Sequence, residues 1–520
     1  MLVPLRLAAH RAFVSRLRLS SRSLSTHSID KFEPILHDFT AELEQHQPKF
    51  SVPADGIRIA SQPSEFYSML LDIIRNAEKR IFLSSLYIGS SETELISVLM
   101  NRLAEKQSLQ LHIVLDLNRS TRPGSPSTAT ALLPLLRAFP DRVRVSLFRS
   151  SSLRGIMAKI VPPRFNEGWG TWHAKIYGAD DELIISGANL NKEYFTNRRD
   201  RYLRFTAQAR LSDYCFDFLQ KISTLSYRLL PAVDGMPHNS NPHSYRREGY
   251  DVVWSESETR PHHITEKVHQ ALTAFQASHR REKEDIAPAT SNVLLFPIIQ
   301  AGQFRIREEE KFFQLLFGHL KKAAMRARPL MDLTSGYFSL YHPYQRLILG
   351  TPQIGVRIVA ASPKANGFFG SKGISGRIPE GYTYLEQKFM HSVRRMAGLF
   401  ASLALGSTNV ELREWEKEGW TYHAKGLWLS PSANSSPVLT LFGSTNLNSR
   451  SADIDTELSF AMVLPSYHAT EDDNDPVAAL RGKLAREVAD IRTDAKEWKG
   501  DQRKVRWTTK ILVYLVGNKL

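Results

Sequence analysis

One phrase occurs twice in this chain, and the repetition constrains the fold more than any other feature. Residues 167–191 read EGWGTWHAKIYGADDELIISGANLN, residues 418–430 read EGWTYHAKGLWLS, and LFGSTNLNSR follows at 441–450. The phrases are landmarks of a longer repeat. Apolar spacing predicts a helix over 64–77, and KRIFLSSLYIG (79–89) then reads as a buried strand. In the second half, 308–325 is amphipathic, with Phe312, Phe313, Leu316 and Leu320 on one face, and RPLMDLTSGYFSL (328–340) is the matching strand. LQLHIVLDL (109–117) and GVRIVAAS (355–362) supply a second strand to each half. Tyr87 precedes His173 by 86 residues, and Tyr337 precedes His423 by the same 86. Strands alternating with helices in two matched series predict an α/β sandwich in each half.

A chain of 520 residues suits two to four domains. Its longest clean apolar run, 511–517, falls far short of the ~20 residues of a spanning helix, so none is expected. The net charge of +15 suits an anionic partner, nucleic acid or acidic lipid alike. Five of those charges, Arg6, Arg11, Arg16, Arg18 and Arg22, lie among serines and leucines before the first acid, Asp30. That pattern reads as a mitochondrial transit peptide over 1–29, and its removal leaves about +10. Cys215 is the single cysteine, which excludes an intrachain disulfide and a cysteine-built metal cluster and suits a reducing compartment. PAVDGMPHNSNPHSYRRE (231–248) and the charged helical stretch 263–285 lie between the halves. The expected division is therefore a lobe over 30–230, a linker or insertion over 231–290, a second lobe over 291–500 and a tail over 501–520. The glycine-rich basic segment 362–381 reads either as a loop near substrate or as a solvated loop.

On a strand, alternation sends His173 and Lys175 to one face, and likewise His423 and Lys425. A neutral imidazole can attack phosphorus or accept a proton, and an imidazolium can protonate a leaving oxygen. An ammonium suits a phosphoryl oxygen. Two histidines and two lysines without a carboxylate cluster describe a phosphoryl site that needs no metal and no cofactor. In SGANLN (186–191) and GSTNLN (443–448), Asn189 and Asn446 can donate to phosphate oxygens, and a phosphate-binding turn is expected at Gly187, Gly443 and Ser444. Asp200 follows Asn189 by 11 residues, as Glu457 follows Asn446, so each is a candidate to orient an imidazole. The surrounding aromatics, among them Trp172 and Trp428, read as core. The segment NRSTRPGS (118–125) is basic and turn-like but lacks the ending of a nucleotide-binding P-loop.

The pattern H-x-K-x4-D, then a Gly-Ser/Ala-Asn turn and an acid, resembles the phospholipase D superfamily, and the likeness covers nearly the whole chain after the leader. Within it, HAKIYGADDELIISGANLNKEYFTNRRDRY and YHAKGLWL…LTLFGSTNLNSRSADIDTEL are similar to the eukaryotic mitochondrial phosphatidylglycerophosphate synthases, which share the shortened first turn and the missing second aspartate. The resemblance implies two phospholipase D-like α/β/α lobes with one shared active site. It implies transfer of a phosphatidyl group from CDP-diacylglycerol to glycerol 3-phosphate, the first committed step toward phosphatidylglycerol and cardiolipin. His173 would form a phosphatidyl-histidine and His423 would move the proton, although the repeat's symmetry allows the reverse. Lys175, Lys425, Asn189 and Asn446 would hold the phosphoryl oxygens. The pattern also puts Asp180 in the catalytic set, but Ser430 stands in its place in the second half, so Asp180 reads as a support for its strand and loop. A location on the matrix side of the inner membrane follows, with peripheral contact to anionic lipid and no nucleic acid. KVRWTTKILVYLVGNKL (504–520) reads as an interfacial anchor or as a final packing strand. The alternatives are a cardiolipin or phosphatidylserine synthase, a mitochondrial nuclease on the same scaffold, and a non-catalytic lipid-binding descendant.

Overall fold

A computed structural model describes residues 31–124, 126–154, 161, 163–233, 241–247, 249–281, 291–323, 328–403, 409–466 and 475–516. The expected transit peptide, 1–29, lies outside the described residues. Two ten-stranded sheets carry the fold. The first runs in the order Tyr245–Arg247, Tyr250–Trp254, Tyr227–Pro231, Val143–Phe148, Gln110–Asp116, Arg80–Ser84, Ile176–Ala179, Glu182–Ser186, Tyr202–Phe205 and Ile57–Ala60. The second runs Phe50–Pro53, Asn292–Ala301, Glu457–Val463, Leu439–Gly443, Lys425–Ser430, Leu330–Ser335, Gly355–Ala361, Val410–Trp415 and Ala495–Glu497, with short Ile306–Arg307 beside Asn292–Ala301.

The repeat is architectural. In each sheet three parallel strands come first, and the innermost of them pairs antiparallel with the strand that follows the His–Lys motif. Arg80–Ser84 and Leu330–Ser335 are these two innermost strands, buried along almost their whole length as central parallel strands require. Helices cover the faces. Pro63–Arg75 starts with proline in its first turn and a Gln62–Glu65 capping box, and buries Phe66, Met69, Leu70 and Ile74 on the sheet.

Both expected lobe boundaries need correction. Residues 31–53 belong to the second lobe: Phe50–Pro53 pairs antiparallel with Asn292–Ala301. Helix His37–His46 sets Phe39 edge-on to Phe312, ring centres 5.6 Å apart. Within the expected linker or insertion, the described residues 241–247 and 249–281 carry two strands and a helix. Tyr250–Trp254 pairs with Tyr227–Pro231 and buries Tyr250, Val252 and Trp254 on alternate positions, so the first sheet extends through it. Helix Thr265–Arg281 then packs on Ala209–Thr224, where the Tyr214 hydroxyl donates to Gln276 Oε1 at 2.8 Å. The Pro- and Asn-rich wording masked a sheet edge whose alternation was legible in YDVVW.

The segment 362–381 is ordered against the second lobe, with Ala365, Asn366 and Ser375 buried and a 3-10 turn Gly373–Arg377 leading into helix Ile378–Ser402. The tail is a helix, Trp507–Val516, rather than a final strand. It packs on Ile378–Ser402 through buried Thr509 and Val513 and exposes Trp507, Ile511, Tyr514 and Leu515.

Candidate active site

Each motif histidine lies just before a strand rather than inside it. His173 precedes Ile176–Ala179, and His423 sits between Thr421–Tyr422 and Lys425–Ser430. What holds them is the opposite lobe. The His173 N–H donates to Thr456 O at 2.9 Å while Thr456 N–H donates to Thr171 O at 2.9 Å. In the mirrored arrangement His423 N–H donates to Arg199 O at 2.8 Å, and Thr421 N–H to Asn197 O at 3.0 Å. Each histidine is therefore bonded to the residue immediately before an acid of the other lobe, and that acid meets its ring. Nδ1 of His173 is 2.9 Å from both carboxylate oxygens of Glu457, and Nδ1 of His423 is 2.7 Å from Asp200 Oδ2. The acids serve the histidines in trans, a pairing that two matched spacings along one chain did not specify.

Glu457 is fully buried, yet it is held below the ordinary carboxylate range: burial pushes it up, and His173 and Lys175 pull it further down, helped by the Ser444 hydroxyl. Ser451 Oγ donates to its other oxygen at 2.6 Å. The second pair differs. Burial raises Asp200 to about 6 despite Lys425, and burial with Lys425 and Arg198 drives His423 well below its ordinary value. One acid is thus held ionised, whereas in the other pair burial raises the acid and disfavours the charged histidine.

The lysines are buried as well. Lys175 Nζ donates to His173 O at 2.7 Å, and Lys425 Nζ lies 3.3 Å from both Gly187 O and His423 Nε2. Burial lowers both ammonium groups, and Lys425 lowers Lys175 further. A phosphoryl anion between them would remove that repulsion. Asn189 and Asn446 have unequal surroundings. Asn189 Nδ2 donates to the Tyr194 hydroxyl at 3.0 Å, and that hydroxyl lies 3.4 Å from His423 Nε2. Asn446 is buried with its Oδ1 unpartnered.

Other expected members of the site do different work. Asp180, at φ 51°, accepts from the backbone N–H groups of Glu78, Lys79 and Arg80 at 2.7–2.9 Å, so it closes a turn at the far end of its strand. That corrects its place in the catalytic set. Of the expected phosphate turn, Ser444 is engaged elsewhere and the two glycines allow close packing. Ser444 spends its hydroxyl on Glu457 and its N–H on Leu458 O at 3.3 Å. Gly443, at φ 138°, has a Cβ position against Ser459 Cα and Leu458 O. Gly187 has none to spare either, since a Cβ there would overlap Asp200 Oδ1. These residues seat the two acids.

Sequence reading missed several contributors. Asp455 accepts from Thr171 N at 2.8 Å and from Arg450, and Asp116, raised by burial to about 7, accepts from Trp172 N at 3.0 Å. Both anchor the His173 segment. Asp455 stands two residues before Glu457 and Asp116 ends a predicted strand, but neither position has a motif to mark it. Among the described residues, His173, Asp455 and Glu457 are the one group whose ligand atoms lie within 4.8 Å of one another, as a metal site would need. Their carboxylates accept from Thr171, Arg450, Ser444 and Ser451 here, so their lone pairs serve the protein's own donors.

No family model matches the chain. Curated relatives do. It is 36% identical over 440 residues to the mitochondrial CDP-diacylglycerol–glycerol-3-phosphate 3-phosphatidyltransferase of Mus musculus, covering 81% of this chain and 76% of that one. The enzyme of Homo sapiens is 35% identical over 443 residues, covering 80% and 75%. That of Schizosaccharomyces pombe is 33% identical over 509 residues, covering 91% and 96%. Phosphatidylserine synthase of Haemophilus influenzae superposes over 92% of this chain and 96% of its own with a TM-score of 0.62 at 18% identity, a likeness of fold. With two matched α/β lobes, histidines clasped by acids in trans and relatives matched over most of their length, the chain belongs to the CDP-diacylglycerol–glycerol-3-phosphate 3-phosphatidyltransferase family.

Proposed function

We propose that this protein transfers the phosphatidyl group of CDP-diacylglycerol to sn-glycerol 3-phosphate by way of a phosphatidyl-histidine, releasing CMP and phosphatidylglycerophosphate. The transfer rests on the family, and the observation that carries the mechanism is the pair of cross-lobe His–acid contacts. Nδ1–H of His173 donates to ionised Glu457, which leaves the Nε2 lone pair to attack the β-phosphorus. The phosphorus–oxygen bond to CMP breaks as His423 protonates the departing oxygen. The phosphorylated imidazole carries a positive charge that Glu457, held ionised by His173 and Lys175, neutralises. In the second half-reaction the 1-hydroxyl of glycerol 3-phosphate gives its proton to His423 Nε2 and attacks phosphorus, and the phosphorus–nitrogen electrons return to His173. Lys175 and Lys425 stabilise charge on the non-bridging oxygens in both steps, with Asn189 and Asn446 as further donors. Two inversions give retention at phosphorus. Asp200, raised to about 6, beside His423, whose charged form burial disfavours so that it gives up a proton readily, suits the shuttle, whereas the Glu457–His173 pair suits the nucleophile.

The names of the Mus musculus and Homo sapiens relatives support a mitochondrial location. No described helix is long and apolar enough to cross a membrane. Peripheral contact with an anionic membrane on the matrix side is supported by the tail helix. Its exposed Trp507, Ile511, Tyr514 and Leu515 stand beside Arg506 and Lys510.

An acceptor screen with purified protein and labelled CDP-diacylglycerol tests the transfer. Phosphatidylglycerophosphate from glycerol 3-phosphate is expected, and a preference for serine or phosphatidylglycerol would overturn the reading. Acid-quenched trapping tests the nucleophile: a covalent phosphatidyl-enzyme that still accumulates in His173→Ala would exchange the two histidines. Activity abolished by a chelator would argue against a metal-free reaction.

A further inference from the structure

The tyrosines that mark the repeat, Tyr87 and Tyr337, and Arg119, one of the two arginines of NRSTRPGS, have no place in the chemistry above, yet Tyr337 stands directly beside it. The Tyr337 ring lies 5.5 Å from the His423 ring, and the Tyr194 ring lies 5.1 Å from it on another side. The Arg198 guanidinium lies over Tyr194 at 4.6 Å, and that of Arg119 over Tyr87 at 4.3 Å. Gly367, in the basic segment, closes the group, because a Cβ there would stand 3.0 Å from the Tyr337 hydroxyl and 3.2 Å from Arg198 Nη2. The charges of both arginines reach the Tyr337 phenol.

Arg198 opens the run RRDR. Its second arginine, Arg199, pairs with half-exposed Asp490, and Arg201 makes a two-point pair with buried Glu487 at 2.9 Å, whereas Arg198 is the one whose guanidinium lies on a ring beside His423. Arg198 donates Nε to Thr421 Oγ1 at 2.9 Å, and its carboxylate partner, Glu193 at 2.6 Å, has a side chain 56% exposed. An ion pair with so exposed a partner is weak and can give way to a dianion. The guanidinium fork fits two phosphate oxygens where an ammonium offers a point charge. The acceptor brings such a phosphate, three carbons from the hydroxyl that His423 must deprotonate, while both active-site lysines attend the transferred phosphorus.

We infer that Arg198, on the Tyr194 ring beside His423 and next to the Tyr337 hydroxyl, forms a subsite for the acceptor's phosphate monoester and so selects a phosphorylated acceptor. The inference rests on the transfer proposed above. The other source of the same chemistry is the nucleotide phosphate of the donor, and that phosphate carries the leaving oxygen itself, so it belongs directly at His423 rather than one ring beyond.

Steady-state kinetics of Arg198→Ala and Arg198→Lys separate these cases. The expected result is a KM for glycerol 3-phosphate raised roughly ten- to a hundredfold in Arg198→Ala, with the lysine variant between it and wild type. The exchange of labelled CMP into CDP-diacylglycerol without acceptor, and the slow transfer to neutral glycerol, should fall by a much smaller factor than transfer to glycerol 3-phosphate does, since Arg198 reaches those steps only through its charge on His423. An unchanged KM for glycerol 3-phosphate in both variants overturns the subsite. Exchange that falls in step with transfer also overturns it, assigning Arg198 to the donor's diphosphate. Should the alanine variant not fold, the lysine variant carries the same comparison. Wild type that makes no product from glycerol 3-phosphate rejects the transfer reading itself, whereas wild type that does so beside indifferent variants rejects only the subsite.

Discussion

At the scale of single residues, the two acids that clasp the histidines are chemically unlike, and mutants should divide accordingly. Asp200 sits near 6 instead of its ordinary 3.8 because burial disfavours its charge. Its ionised form supports the His423 imidazolium, so kcat should rise with pH through about 6. Asp200→Asn should lower kcat by roughly 10²–10⁴ and remove that acid limb from the pH–rate profile. Glu457, held below the ordinary carboxylate range, contributes no limb near neutrality. Glu457→Gln should cost a comparable factor without moving the Asp200 limb, and should weaken the trapped intermediate more than Asp200→Asn does. Asp180 makes the contrast, because its three backbone partners are structural. Asp180→Ala should lower stability by about 2 kcal/mol or more, measured by denaturant unfolding, while kcat per folded molecule stays within about threefold. Substitution of the motif's aspartate by Ser430 was the sequence clue to this, whereas the roles of Ser444 and Gly187 depend on which atoms pack against them.

At the scale of elements, helix Ile378–Ser402 carries an uncompensated acid. Glu386 is buried and raised to about 8 by burial and by Glu414, with Trp498 Nε1 donating to it at 3.0 Å. The folded state therefore holds a proton that the unfolded chain releases above about 4.5, and stability falls as pH climbs from there to about 8. Glu386→Gln keeps an acceptor for Trp498 and removes the charge. Its Tm should match wild type at pH 5 and exceed it by about 2–4 °C at pH 9 in a thermal scan. The tail helix tests the membrane reading. Tyr514→Glu with Leu515→Glu removes apolar surface from its exposed face, and binding to anionic liposomes should fall by about tenfold or more in a flotation assay. Activity on detergent-dispersed donor should survive. The helix was legible as an amphipathic tail, but the choice between strand and helix depended on the surface of Ile378–Ser402, which supplies the contacts for Thr509 and Val513.

For the whole molecule, the site exists only while the lobes are docked, since neither lobe contains a histidine together with its own acid. Arg201 is the main polar lock. It pairs with Glu487, donates to Leu441 O at 2.9 Å and stacks over Trp428 at 3.9 Å, while Phe205 lies against Phe442 with ring centres 6.1 Å apart. Glu487→Ala strands a buried guanidinium. Unfolding should show a loss of about 3–5 kcal/mol, and kcat should fall together with it because both clasps loosen. A variant destabilised to that extent with full activity would mean that the clasps, rather than Arg201, hold the lobes in register.

Sequence alone determined the repeat, the α/β layering and the two His–Lys–Asn sets, because strand alternation, helical periodicity and a duplicated motif are local patterns that survive without coordinates. The acids were visible as well, through equal spacing in both halves. Only the tertiary structure decided that each acid serves the other lobe's histidine, that residues 31–53 complete the second sheet and 241–281 extend the first, and that Asp180 closes a turn. The reason is physical: pairing partners hundreds of residues apart are chosen by which strand edges and buried charges meet when the lobes dock, and no periodicity along a single chain encodes that choice.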